Sequence, residues 1–170
     1  MEFTELIQAR YSCKKYDGRP VEQKTLEEIL NAGRLAPTAK NAQEQRVYVV
    51  RSPEGLAKID RLTPCRYGAP VVLAVAFDRG GAFTYPGGKH GSGPEDAAIV
   101  ATHMMLAAKN AGVESCWLNF FDPELAARTL GLPENEELVM LLDLGYPAQE
   151  GQPLANHFKR KDLSETVRYL

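Results

Sequence analysis

The chain has 170 residues, a length that argues for one domain built on one core. Apolar residues make up 44% and charged residues 25%, the balance of a globular protein that folds without disulfide or metal staples. Twenty Lys and Arg against 22 Asp and Glu leave a formal charge of −2, which excludes a surface built throughout to bind nucleic acid.

Cys13, Cys65 and Cys116 are an odd number at wide spacing, so they read as free thiols in a reducing compartment. His90, His103 and His157 are equally scattered, and no metal set is expected. The N-terminus lacks the basic-then-apolar order of a secretory signal. The longest apolar run, Ala69 to Phe77, falls far short of the ~20 residues a membrane helix needs. A cytoplasmic location, with neither membrane nor nucleic acid as partner, is the expectation.

Thr25-Leu26-Glu27-Glu28 has the spacing of a capping box, and Leu26, Ile29, Leu30 and Gly33 follow on one helical face. Arg46 to Arg51 reads as a strand. Ser52-Pro53 supplies a cap and first-turn proline for a second helix through Leu56, Ile59 and Leu62. Pro70 to Phe77 is continuously apolar, as a strand buried on both faces would be.

Residues 79–93, RGGAFTYPGGKHGSG, hold six glycines and predict a long functional or mobile loop that borders the active site. Pro94 to Ala111 is apolar around most of its circumference, which predicts a central buried helix, with His103 as a hydrogen-bonded core histidine. Gly112 ends it. Ser115 to Leu118 is a short strand; Asp122-Pro123 caps a helix ending at Gly131; Leu138 to Leu144 is another buried strand. These elements predict an α+β fold with a sheet of about four strands. No Gly-x-Gly-x-x-Gly follows a strand, so a Rossmann site is not supported.

Three clusters carry candidate chemistry. Arg10, Ser12 and Lys14 alternate, so an extended segment points all three one way: a guanidinium, a hydroxyl and an ammonium suited to phosphate. A solvated basic strand is the plainer alternative. Pro37-Thr38-Ala39-Lys40-Asn41-Ala42-Gln43 offers two amides able to read the edge of a heterocycle, or is simply a helix-stop loop. Gly112 to Phe121, with Trp117, Leu118 and Asn119, runs from a helix end into a short strand; the Trp117 indole walls a flat ligand or fills core. Lys159-Arg160-Lys161 adds charge near the C-terminus, either to complete a dianion pocket or as a solvated face. Cys13 lies among basic residues able to lower its pKa, yet no histidine stands at a diagnostic distance.

Taken in order, these blocks resemble the nitroreductase family of FMN-dependent oxidoreductases. Arg10-Tyr11-Ser12-Cys13-Lys14 is similar to its N-terminal Arg-x-Ser-x-Arg/Lys segment, and Ala36 to Gln43 to its Ala-Pro-Ser/Thr-x-x-Asn-x-Gln loop. Glu95-Asp96-Ala97-Ala98-Ile99 resembles the start of its central helix, and Gly112 to Leu118 its Gly-Leu-Gly-Ser-Cys-Trp-Ile block. Leu144-Gly145-Tyr146-Pro147 and Arg160-Lys161-Asp162-Leu163 resemble its closing segments. Glu44, Gln45, Asn119 and Asp162 depart from the family's usual residues, mainly around the substrate pocket.

The resemblance implies a nitroreductase-like α/β sandwich, a small mixed sheet around a buried central helix, and an intertwined homodimer with FMN at its interface. It implies that Arg10, Tyr11, Ser12 and Lys14 hold the flavin, with Arg10, Arg160 and Lys161 on the phosphate. Pro37, Thr38, Ala39, Asn41 and Gln43 would come from the partner subunit, and Trp117, Leu118 and Asn119 would border the isoalloxazine. The implied reaction is ping-pong: NADH or NADPH passes hydride to flavin N5, and a nitroaromatic, quinone or related acceptor takes the electrons. The absence of an acid/base constellation agrees with a cofactor that carries the chemistry, Lys14 acting as an electrostatic tuner. A flavin-binding or delivery module without turnover, and a plain anion-binding domain, are the alternatives. The apolar tail Val167, Tyr169 and Leu170 is expected to pack on a second subunit.

Overall fold

The most apolar run of the sequence becomes the centre of the sheet. In the computed structural model, which describes residues 1–170, Val71–Asp78 (β2) lies between Gln45–Val50 (β1) and Glu136–Gly145 (β4), with Glu114–Leu118 (β3) beyond β4. All three pairings are antiparallel. The expected mixture of strand directions reduces to one parallel bridge, Ser12 to Ser115, because the N-terminal segment leaves the edge of β3 after a single pairing.

Side chains alternate across a strand, so β2 feeds two cores. Val71, Leu73 and Val75 face a layer made by Gln23–Arg34 (α2) and Gly93–Asn110 (α4), together with Met140, Leu142 and Leu144 of β4. Val72, Ala74 and Ala76 face Pro53–Leu62 (α3) and Pro123–Leu130 (α5), where Ile59 and Ala126 are fully buried. The result is helices on both faces of an antiparallel sheet, an α+β sandwich. Gly33 lets α2 approach α4 closely: a Cβ there would stand 2.7 Å from Met104 Cγ.

The punctuation residues behave as their chemistry requires. Ser52 accepts from the Gly55 amide at 3.1 Å and Asp122 from the Leu125 amide at 3.0 Å, each followed by proline in the first turn. Gly131 ends α5 in the left-handed conformation, φ 80°.

Two expectations need correction. α2 begins at Gln23, with Glu22 at the cap position and no side-chain cap bond, so Thr25 lies inside the helix and no capping box forms there. Val21, buried in the first core, fixes the chain's entry ahead of that point. His103 is exposed rather than core, its Nδ1 2.9 Å from the Ile99 carbonyl. α4 buries Ala97, Val100, Ala101, Met104 and Ala108 on the sheet side, and this leaves Ile99 and His103, four residues apart, facing outward.

Phe3–Ala9 (α1) precedes the first bridge, and Leu163–Thr166 (α6) lies in a tail whose Tyr169 and Leu170 are fully exposed. No helix is long and apolar enough to cross a membrane. No group of three His, Cys, Asp or Glu side chains is placed to hold a metal.

Candidate functional site

Residues 10–16 touch the edge of β3 at one bridge, Ser12 to Ser115, and then pass on to Tyr67 and Pro147. The Cys13 amide donates to the Ser115 carbonyl at 2.9 Å, and the Tyr16 amide to the Tyr67 carbonyl at 3.2 Å. Alternation then divides the segment as its spacing predicts. Tyr11 and Cys13 turn into a small core with Tyr16 and Ala69, while Arg10, Ser12 and Lys14 face outward.

The outward three meet the C-terminal segment. Arg10, Ser12 and Lys14 line a cleft of about 260 Å³ with Leu154, Asn156 and His157. The lining contains no carboxylate, and neither Arg10 nor Lys14 enters an ion pair, whereas neighbouring Lys15 is paired with Glu150 at 3.5 Å. Guanidinium, hydroxyl, ammonium, amide and imidazole are donors of the kind that suit a phosphate monoester. That chemistry fits the phosphate of FMN.

Arg160 and Lys161 are not in the cleft lining. Arg160 Nη1 donates to the carbonyls of His157 and Lys159, the latter at 2.8 Å, so the guanidinium braces the 3₁₀ turn Ala155–Phe158. That turn presents Asn156 and His157 to the cleft instead. Sequence reasoning missed both, since a lone Asn-His pair carries no spacing signal. Tyr11 serves from beneath. Its hydroxyl donates to the Gly151 carbonyl at 2.8 Å, and its ring meets the His157 ring edge-on, centroids 6.4 Å apart.

The basic neighbours do not lower the Cys13 pKa. The thiol lies on the face opposite the cations, donates to the Lys15 carbonyl at 3.3 Å, and is pushed up by burial. Burial pushes Cys116 up to about 12 as well. Tyr16 is raised by burial too, and its hydroxyl has no partner. Nearby Asp143 is fully buried with both carboxyl oxygens unpartnered; desolvation lifts it to about 9 against the pull of Arg66.

At the other end of β3, Trp117 is half-buried against the first core, and its Nε1 donates to Asn119 Oδ1 at 3.0 Å. Leu118, expected to border the isoalloxazine, turns its side chain into the second core. Like Tyr11, it offers a ligand only its backbone. Asn119 and Phe120 are exposed where the strand ends.

Pro37, Thr38, Ala39, Asn41 and Gln43 form a separate loop, and none of them lines the Arg10 cleft. Lys40, Asn41 and Gln43 all adopt positive φ, 54°, 55° and 57°, an uncommon and strained run for residues with a Cβ. Thr38 holds the loop from within: its Oγ1 accepts from the Gln43 amide at 3.0 Å, and its carbonyl accepts from the Asn41 amide at 2.9 Å.

The chain is similar to known proteins in sequence and in fold. The family model described as "Nitroreductase family" matches residues 7–67 and 63–146. An Archaeoglobus fulgidus protein, provisionally named NADH dehydrogenase/NAD(P)H nitroreductase, is 30% identical over 159 residues, covering 88% of this chain and 87% of its own. A crystal structure of a nitroreductase family protein from Clostridium difficile superposes with a TM-score of 0.92 at 36% identity, covering 99% of this chain and 98% of that one. A structure from Exiguobacterium sibiricum, in complex with FMN, has the same fold at a TM-score of 0.84 and 20% identity, covering 100% of this chain and 98% of that one. Matched across most of its length in sequence and nearly all of it in fold, the chain belongs to the nitroreductase family.

Proposed function

We propose that the protein is an FMN-dependent NAD(P)H oxidoreductase that works as a homodimer. The observation that carries this reading is the carboxylate-free cleft in which Arg10, Ser12 and Lys14 meet Asn156 and His157. Two related proteins bear NAD(P)H nitroreductase or NADH dehydrogenase names, and a protein of the same fold was solved with FMN. When bound, FMN supplies hydride acceptance from NAD(P)H and delivery to a nitroaromatic, quinone or related acceptor, in alternation at one site.

The chain's own contribution is binding, orientation and charge. Arg10, with its planar fork, and Ser12 grip the phosphate, helped by Asn156 and His157. Lys14 would supply positive charge that favours negative charge on the ring. The backbone at Asn119 and Phe120, exposed beyond the end of β3, borders the ring. Residues 37–43 cover the flavin held in the cleft of the other copy.

A second copy is also what the uncovered apolar surface calls for. Leu35, Phe120, Phe158, Leu163, Tyr169 and Leu170 are all more than 45% exposed in the single chain. The apolar circumference of α4, with Ile99 outward, has the same explanation.

The test is turnover by purified protein loaded with FMN. NADH or NADPH oxidation that needs both a quinone or nitroaromatic and the flavin supports the reading. Tightly bound flavin that nicotinamides fail to bleach assigns a delivery module instead, and failure to take up FMN leaves only anion binding.

A further inference from the structure

Asp96, in the first turn of α4, joins the start of that helix to a loop 57 residues away in sequence. It is 4% exposed. Oδ1 accepts from the Ala39 amide at 2.9 Å, and Oδ2 accepts from the Ser92 hydroxyl at 2.7 Å. The Asp96 amide in turn donates to the Ser92 carbonyl at 2.8 Å. One buried carboxylate thus ties the strained 38–43 loop to the start of the central helix and to the end of the Gly-rich segment.

That segment is itself built. The Ser92 amide donates to the Phe83 carbonyl at 2.8 Å, the Tyr85 amide to the His90 carbonyl at 3.0 Å, and Thr84 bridges Gly91 antiparallel. Residues 83–92 therefore form a small hairpin, stapled to α4 by the Tyr85 hydroxyl on Glu95. The Gly-rich segment also contacts the loop and its flank directly. Lys40 Nζ stands 4.5 Å from the centre of the Phe83 ring, and the Glu44 carboxylate packs against Gly81. The circuit closes: loop to Asp96, Asp96 to Ser92, Ser92 to Phe83, Phe83 back to Lys40.

Strain explains why such a circuit is needed. Three positive-φ side-chain-bearing residues within four positions persist only where surroundings over-determine them. Thr38 supplies restraint within the loop; the restraint from outside is Asp96 together with the hairpin. We infer that Asp96 is a positioning residue, which, braced by Ser92 and the 83–92 hairpin, holds residues 38–43 in the shape that covers the flavin. The Gly-rich segment is then a structural wall of the site, and its contact through Lys40 carries changes in the hairpin to the flavin-facing loop. This inference rests on the reading of residues 37–43 as a flavin cover, while the clamp itself is visible without flavin.

The experiment uses full-length protein stripped of flavin and compares wild type with Asp96→Ala, Asp96→Asn and Ser92→Ala. Two quantities are read: amide hydrogen exchange at Ala39 without flavin, and the dissociation constant for added FMN from fluorescence quenching. Asp96→Ala is expected to speed Ala39 exchange at least about tenfold and to weaken FMN binding about tenfold or more, with exchange in β2 and β4 unchanged. Asp96→Asn, which still accepts from Ala39 and donates to the Ser92 oxygen, is expected to restore both to within about threefold of wild type. Should Asp96→Ala fail to fold, Ser92→Ala, which cuts the brace alone, is expected to move both quantities in the same direction. Unchanged Ala39 exchange in folded Asp96→Ala and Ser92→Ala, or FMN affinity within about twofold of wild type in those two variants, overturns the inference. A wild type that binds no FMN overturns the cofactor reading, and the exchange data still decide whether the clamp exists.

Discussion

Ser12 stands in parallel register with Ser115 at the edge of β3, and that one bridge decides which side chains reach the cleft. With Ser12 fixed, alternation sends Arg10 and Lys14 outward and buries Cys13 at 0% exposure. Had the register slipped by one residue, a thiol and a phenol would face the ligand, and two cations would be driven into the core.

The thiols report this arrangement chemically. Cys13 and Cys116 are buried, with pKa values raised by burial, whereas Cys65 is partly exposed. In the native protein at pH 8, a disulfide reagent is expected to titrate Cys65 readily and the other two at least about a hundredfold more slowly. Denaturant should make all three react alike. Fast labelling of Cys13 would contradict the register.

Lys14 makes no ion pair and lines the cleft, so its charge is free to act on a ligand. Lys14→Met is expected to lower the flavin's reduction potential by on the order of 20–40 mV, equivalent to about 1–2 kcal/mol for a two-electron couple. Spectroelectrochemical titration measures it. An unchanged or higher potential removes Lys14 from the tuning role.

Burial of Asp143 is expected to give the fold a pH dependence whose sign follows from the raised pKa. Its folded-state pKa of about 9 lies above the ordinary 3.8, so between those values the folded protein holds a proton that the unfolded chain releases. Stability from this group is therefore full below about pH 4, declines as pH rises, and stops declining above about pH 9, at no more than about 1.4 kcal/mol per pH unit. Asp143→Asn is expected to match wild type near pH 4 and exceed it increasingly toward pH 9 in denaturant melts. A variant that loses stability equally at all pH values would show that the carboxyl is not held neutral.

The C-terminal tail gives a test of assembly. Val167, Tyr169 and Leu170 are exposed in the single chain, beyond the segment that presents Asn156 and His157. Removal of residues 164–170 is expected to yield monomer by light scattering and to release flavin. A truncated protein that stays dimeric and yellow contradicts the role given to the tail.

The legible parts of the molecule are those written in local chemistry. The continuous apolar run at 70–77, the Ser52-Pro53 and Asp122-Pro123 caps, and the alternation of Arg10, Ser12 and Lys14 each encode geometry within a few residues, and each appears as read. His103 and Thr25 were misplaced because local pattern does not reveal which side of an all-round apolar helix meets the sheet, or where a buried Val21 starts the next helix. Asn156, His157 and Asp96 were invisible as site residues for a different reason. Their partners lie more than 50 positions away in sequence, as Asp96 and Ala39 do with a separation of 57, and no local spacing announces such a pair.

The central claim is that cations and donors from the two ends of the chain hold the phosphate of FMN. The most direct measurement compares FMN with riboflavin, which shares the ring and ribityl chain but lacks the phosphate, in fluorescence titrations of flavin-free protein at fixed salt. The account predicts that riboflavin binds at least about a hundredfold more weakly, and that Arg10→Ala weakens FMN toward the riboflavin value while leaving riboflavin unchanged. Equal affinity for the two flavins, or an Arg10→Ala loss shared by both, would contradict it.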